Sequence, residues 1–194
     1  MDLDAKRATL DQKLRELGKL LVAYSGGVDS AFLAFAAHEA LGENMLAVIA
    51  DSASLARAQL ADAIAFAEEQ RIPLEVIATQ EMERPEYARN DAARCFHCKD
   101  ELFTVMERLR TERGFDAVAY GVNLDDLSDF RPGQQAARQH GVATPLVDAA
   151  LSKAEVRELA RLAGLRVWQK PASACLSSRI EFGRPVSRDA LAQV

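Results

Sequence analysis

Cysteine, proline and aromatic residues are scarce in this chain: 194 residues hold three Cys, six Pro and a single Trp. Three thiols, two of them close together, make no even disulfide framework and suit a reducing, cytoplasmic compartment. Positive charge is not in excess either, with 24 Lys and Arg against 29 Asp and Glu, a net charge of −5. That balance argues against a broad basic surface for nucleic acid, which needs clustered cations to replace counterions. No apolar run approaches the length of a membrane span, and the opening Met1-Asp2-Leu3-Asp4-Ala5-Lys6-Arg7 lacks the apolar stretch of a secretory signal. Internal repeats and low-complexity linkers are missing as well. What is present is 49% hydrophobic residues in a chain of single-domain length, enough to bury a real core.

The most informative segment is Ser25-Gly26-Gly27-Val28-Asp29-Ser30, preceded by the strand-like Leu20-Leu21-Val22-Ala23-Tyr24 and followed by a helical pattern over 31–41. Paired glycines admit backbone conformations closed to other residues and let N–H groups approach an anion, while the helix aims its positive end there. Ser25 and Ser30 add hydroxyl donors, and Asp29 offers a carboxylate to Mg²⁺. A bare Ser-Gly-Gly could be a polar strand-to-helix turn. The added Asp29 and Ser30 favour a pyrophosphate cradle. No Gly-Lys-Ser/Thr follows, so this is not a Walker A loop. The hexapeptide resembles the PP-loop of ATP pyrophosphatases, which cleave ATP between the α- and β-phosphates and adenylate a substrate.

Strand and helix signals then alternate. An opening helix carries Leu10, Leu14 and Leu17 on one face and ends at Gly18. Apolar strands are predicted at 45–50, 74–78 and 117–120, with helices whose faces carry Leu60, Ile64 and Ala67, and Leu102, Met106 and Leu109. Ser54 is expected to cap the first of these, and the second to run over 99–113. Periodicity falters over 80–94, and a shorter helix is expected at 134–140. Ser152-Lys153-Ala154-Glu155 reads as a capping box, flanked by Leu151 and Val156 as a hydrophobic staple, and Val167-Trp168 as a last extended piece. Short apolar strands separated by helices predict an α/β fold: a parallel sheet covered on both faces, with ligands beyond the carboxyl ends of its strands. The PP-loop, Ala50-Asp51-Ser52 and Gly121-Val122-Asn123-Leu124-Asp125-Asp126 all fall at such ends, so they should meet in one crevice.

A second constellation is Cys95-Phe96-His97-Cys98 at a helix mouth, with Cys175 far along the chain. Alone, CxxC is open to several readings: a redox dithiol, half of a zinc site with His97 and Cys175, or two ordinary thiols. Beside a nucleotide-activating loop a further reading arises, in which three thiolates mount a [4Fe-4S] cluster whose fourth iron is open to sulfide. His97 faces away from Cys95 and Cys98 if the segment is helical, which gives it a packing or outer role.

Together the PP-loop, Gly121-Val122-Asn123-Leu124-Asp125-Asp126-Leu127-Ser128-Asp129-Phe130-Arg131-Pro132-Gly133 and Lys170-Pro171-Ala172-Ser173-Ala174-Cys175-Leu176-Ser177-Ser178-Arg179 resemble the LarE family along nearly the whole chain. The resemblance implies a Rossmann-like PP-loop fold and an ATP-dependent sulfur transferase. Such an enzyme adenylates the carboxylates of a pyridinium-3,5-biscarboxylate mononucleotide and replaces AMP by sulfur, for the nickel-pincer cofactor of lactate racemase. Two sulfur sources occur in that family. Either a lone cysteine at the position of Cys175 surrenders its sulfur, or that cysteine joins a CxxC pair to carry a cluster; Cys95, Cys98 and Cys175 resemble the second type.

By the same resemblance Ser25, Gly26, Gly27, Val28, Asp29 and Ser30 hold pyrophosphate, and Gly121 and Asn123 complete the nucleotide site. Asp29 shares Mg²⁺ with Asp125 or Asp126, Ala50 and Asp51 border adenine, and Arg179 steadies the adenylate near Cys175. ATP, Mg²⁺ and a [4Fe-4S] cluster are the implied cofactors. Implied partners are the small-molecule dicarboxylate, the enzymes before and after it in cofactor assembly, and further copies of the chain as a homo-oligomer, with no membrane and no nucleic acid. Residues 1–170 are expected to form the PP-loop domain and 171–194 the cysteine-bearing loop and the start of a further portion, since family members continue beyond the equivalent of Val194. Val122 replaces the family's threonine and removes a hydroxyl. Two rival readings are another PP-loop enzyme, such as a tRNA thiolase or an amide-forming synthetase, and a non-catalytic adenine-nucleotide module with a zinc clasp.

Overall fold

A computed structural model describes residues 2–128 and 132–194 of the chain. Asp129, Phe130 and Arg131 of the motif above lie outside the described residues. Four parallel strands, β1 (Leu20–Ala23), β2 (Met45–Asp51), β3 (Leu74–Ala78) and β4 (Ala117–Tyr120), pair in the order β3-β2-β1-β4. Leu20 faces both Met45 and Ala117 in register. The chain thus leaves β1 to one side for β2 and β3 and crosses to the other side for β4. That reversal opens a crevice above the carboxyl end of β1, where the glycine-rich loop begins.

Alternation along the strands builds two cores. Leu20, Val22, Met45, Ala47 and Ile49 point to one face, against α1 (Leu3–Glu16), α2 (Val28–Leu41), α3 (Arg57–Glu69) and α8 (Lys153–Leu162). Leu21, Ala23, Val48 and Val118 point to the other, against Phe103, Met106 and Leu109 of α5 (Arg94–Arg113) and Ala136 and Ala137 of α6 (Pro132–Gln139). Central parallel strands are buried on both faces, which is why β1 reads as an unbroken apolar run instead of an alternating one. The smaller elements among the described residues are α4 (Pro85–Ala88), α7 (Pro145–Asp148), α9 (Arg188–Ala192) and five short 3₁₀ segments.

The capping box forms as read: Ser152 Oγ accepts from Glu155 N at 3.3 Å and Glu155 accepts from Ser152 N at 2.9 Å. Leu151 and Val156 beside it are fully buried in the first core. Three local expectations are corrected. Ser54 does not cap α3, which starts at Arg57; its hydroxyl is buried and bonded to Ser52 Oγ at 2.8 Å. The α5 helix starts at Arg94 instead of Lys99, so the CxxC lies within its first turns. Residues Arg166–Gln169 form a 3₁₀ turn rather than an extended piece, tied by Trp168 N donating to Leu165 O at 3.2 Å.

A third, small core joins the last segment to the rest. Tyr87, Ile180, Val186 and Leu191 bury one another, with Cys98 and Leu176 packed alongside. Polar contacts reinforce it. Asn90, held at φ 55°, donates to the carbonyls of Glu181 and Arg184, both at 2.9 Å. Val186 N donates to Ala88 O at 2.9 Å.

Candidate active site

The glycine-rich loop connects β1 to α2. Gly26 sits at φ +71°, and a Cβ there would stand 2.6 Å from that of Ala63, so both conformation and space demand glycine. Gly27 differs: at φ −77° it is the N-cap of α2 and needs no left-handed backbone. No side chain caps that helix, which leaves its first N–H groups directed into the loop as anion donors. The loop is braced from within. Ser30 Oγ accepts from Ser25 N at 3.1 Å, lies 3.0 Å from Ser25 Oγ and donates to Gly27 O at 3.1 Å. Gly121, at the end of β4, presses on the loop so closely that a Cβ would come within 2.6 Å of Ser30 N. This close approach leaves no room for a side chain at Gly121.

Behind the loop, the carboxylates expected to share Mg²⁺ gather around two residues. Asn123 Nδ2 donates to Asp29 Oδ1 at 3.2 Å and Asn123 N to Asp126 Oδ2 at 3.2 Å. Lys153, the first residue of α8, pairs its ammonium with Asp29 and donates its backbone N to Asp125 Oδ2 at 2.8 Å. Sequence reasoning missed Lys153 because it was read only as part of a capping box. That box is what aims it, since Glu155 is itself gripped by Lys6 of α1 at 2.7 Å. A second cation, Lys170, reaches to within 3.9 Å of the Cβ position of Gly26 while paired with Asp62 at 2.6 Å.

On the other side, the loop opens into a cavity of about 180 Å³ whose wall includes Ser25, Ser30, Ala50, Gly121, Cys98 and Cys175. The anion loop and two of the three thiols thus share one space. Cys95, one helical turn before Cys98, is exposed and does not line the cavity, with Arg94 Nη2 4.0 Å from its sulfur. Burial pushes the Cys98 thiol up to about 11; Lys99 opposes the rise, and Glu81 and the other two sulfurs add to it. The cysteines are free thiols, and no group of three or more His, Cys, Asp or Glu among the described residues is close enough to hold a single metal ion. Two of the free thiols, Cys98 and Cys175, line the cavity, and Cys95 is not on its wall.

Buried hydrogen bonds set the position of Cys175. Leu176 N donates to Ser54 O at 2.8 Å, Ser177 Oγ lies 2.6 Å from Tyr87 Oη, and Arg94 Nη1 donates to Ser177 O at 2.7 Å. The residue before Cys95 therefore also holds the residue two after Cys175. The remaining expected residues divide. Asp51 is turned outward to Arg57 and borders a neighbouring hollow. Arg179 is exposed at the end of its 3₁₀ turn and is not on the cavity wall. His97 packs edge-on against Phe96 at 5.4 Å, its Nδ1 buried without a hydrogen-bond partner.

A parallel sheet with an uncapped helix behind a Ser-Gly-Gly-x-Asp-Ser loop defines the PP-loop class of nucleotide-activating enzymes. A family model for NAD synthase matches residues 3–109. Among solved structures, the NH3-dependent NAD synthetase of Campylobacter jejuni superposes with a TM-score of 0.67 over 91% of this chain and 80% of that one. At 18% identity this likeness concerns the fold alone. Sequence relatives are nearer. An uncharacterised protein of Synechocystis sp. is 43% identical over 99% of this chain and 72% of its own length. The pyridinium-3,5-bisthiocarboxylic acid mononucleotide synthase of Lactiplantibacillus plantarum is 31% identical over 99% of this chain and 70% of its own length. The chain belongs to the LarE family of PP-loop proteins and is an ATP-using enzyme.

Proposed function

We propose that this protein activates the carboxylates of a pyridinium-3,5-dicarboxylate mononucleotide with ATP and exchanges the adenylate for sulfur. The observation that carries the reading is the cavity wall shared by Ser25 and Ser30 of the anion loop and by Cys98 and Cys175. In the first step a substrate carboxylate oxygen attacks the α-phosphorus and the bond to the β-phosphate oxygen breaks. The negative charge that gathers on the departing pyrophosphate meets the α2 N–H groups, the Ser25 and Ser30 hydroxyls and the Lys153 and Lys170 cations. Asp29, with Asp125 or Asp126, would hold Mg²⁺ there. In the second step a sulfur nucleophile attacks the acyl carbon and the bond to AMP breaks, leaving a thiocarboxylate.

Cys95, Cys98 and Cys175 would hold an iron–sulfur cluster, which when bound supplies an iron site for the incoming sulfide. Residues 1–170 would then be the activating domain, and 171–194 the segment that presents sulfur. A reducing cytoplasmic setting suits three free thiols, and the reading includes a homo-oligomer that trades its small-molecule substrate and product with neighbouring enzymes of cofactor assembly.

The test is to purify the protein anaerobically, assay iron, zinc and labile sulfide, and then add ATP, Mg²⁺ and the dicarboxylate. Iron with sulfide, and pyrophosphate and AMP that form only with the acceptor, are expected. An ATP pool left unchanged by the acceptor, or zinc as the sole metal, would overturn the reading. Intact mass after turnover separates the sulfur sources, because sacrifice of Cys175 removes the elements of hydrogen sulfide from the chain.

A further inference from the structure

Glu81 takes no part in the steps above, although it is the most deeply buried carboxylate near the thiols. It belongs to the 3₁₀ turn Glu81–Glu83, is 1% exposed and forms part of the same cavity wall as Cys98 and Cys175. Its hydrogen-bond donor is the Ser52 hydroxyl, and no Lys or Arg among the described residues is ion-paired with it. Ser52 is itself held by Ser54, whose N–H donates to Ser52 Oγ at 3.0 Å. A buried carboxylate with a single neutral donor is costly, because desolvation is offset only in part. Such a group is expected where a cation arrives to complete it. A second unsatisfied group opens on the same space: the Thr79 hydroxyl is buried, has no hydrogen-bond partner and also lines the cavity.

The surroundings specify the kind of cation. The rest of the wall near Glu81 is largely apolar, with Ile49, Ala50, Leu55 and Leu102, and the volume of about 180 Å³ suits a flat ring rather than a hydrated ion. Glu81 also lies close enough to Cys98 for its charge to act on that thiol. It lines one small cavity together with Cys98 and Cys175, so a ring held there lies within reach of both the carboxylate and the sulfurs.

We propose that Glu81, set by Ser52, is the anion that selects a permanently cationic heteroaromatic ring as acceptor and rejects its neutral counterpart. This rests on the acceptor reading given under the proposed function and adds the residue that would read the ring's charge. The acceptor's own carboxylates are offset by Lys99, which shares the wall. A carboxylate in a desolvated site favours a cation over a neutral isostere by about ten- to a hundredfold.

The test titrates N-methylpyridinium-3,5-dicarboxylate and pyridine-3,5-dicarboxylate into the full chain with AMP present, by calorimetry, for the wild type and Glu81→Gln. The wild type should prefer the cationic ring by at least about tenfold, and Glu81→Gln should bind both rings alike while binding ATP as the wild type does. Equal binding of both rings by the wild type, or a preference that survives in Glu81→Gln, overturns the proposal. So does a variant whose loss falls on ATP, which would place Glu81 under adenine. If the wild type binds ATP and neither ring, the acceptor reading itself fails and takes this one with it. Should Glu81→Gln not fold, Ser52→Ala, which keeps the carboxylate but removes the hydroxyl that sets it, should narrow the preference for the cationic ring while ATP binds as in the wild type; an unchanged preference there counts against the proposal.

Discussion

Cys98 and its two partner thiols show how far a residue's environment departs from its spelling. The sequence names all three thiols but not their differences in access, which arise from packing against Tyr87 and Leu176 that no local pattern encodes. Cys95 and Cys175 are exposed, whereas Cys98 is recessed and its thiol is pushed up to about 11 by burial. Alkylation near pH 8 in the metal-free protein should therefore modify two thiols quickly and Cys98 last, with Cys98 gaining most as the pH rises towards its own titration. Peptide mapping of a time course checks this; early labelling of Cys98 would contradict the burial described. Gly26 was readable because a left-handed glycine before a helix is a local signal. Gly121 was readable only by its place at a strand end, because its constraint comes from a distant part of the chain, the backbone of Asp29 and Ser30, which would stand as close as 2.6 Å to a Cβ.

At the scale of elements, strands and helices were largely legible, because apolar runs and helical periodicity are local. What escaped was whatever a distant partner decides. The start of α3 moved because Ser54 is drawn into a buried pair with Ser52, and α5 gained a turn because Arg94 is anchored to Asn90 and Ser177. The N-terminus of α8 carries the element-scale prediction. Ser152→Ala should cost about 1 kcal/mol in a denaturant melt, the usual loss for a removed cap. Glu155 accepts from Lys6 first and from the Ser152 backbone second, and these contacts hold its carboxyl down at about 2 against an ordinary 4.5. A lowered carboxyl contributes stability that is fully present above its unfolded value and lost as the pH falls towards 2. Glu155→Gln should accordingly flatten that acid limb of the stability curve, and an unchanged limb would show that the Lys6 pair contributes nothing. Because α8 aims Lys153 at Asp29, Ser152→Ala should also weaken ATP binding more than its effect on stability alone would suggest.

For the molecule as a whole, the order β3-β2-β1-β4 brings the loop after β1, Ala50 and Gly121 to one end of the sheet, and that much followed from strand ends read in the sequence. The manner in which the last twenty residues attach did not, since it depends on Asn90 and Tyr87, in a stretch where periodicity fails. The two main cores are broad, but the third rests on four buried side chains. Hydrogen exchange followed by mass spectrometry should thus show two levels of protection, with β1 and β2 slowest and residues 176–192 opening well before them. Uniform protection across both would contradict a separately held segment. The rivet at Asn90 has a wider consequence. An arm fastened over so small a patch depends on far fewer side chains than the sheet does, so the tail that follows Cys175 is the part of this molecule expected to yield first under denaturant.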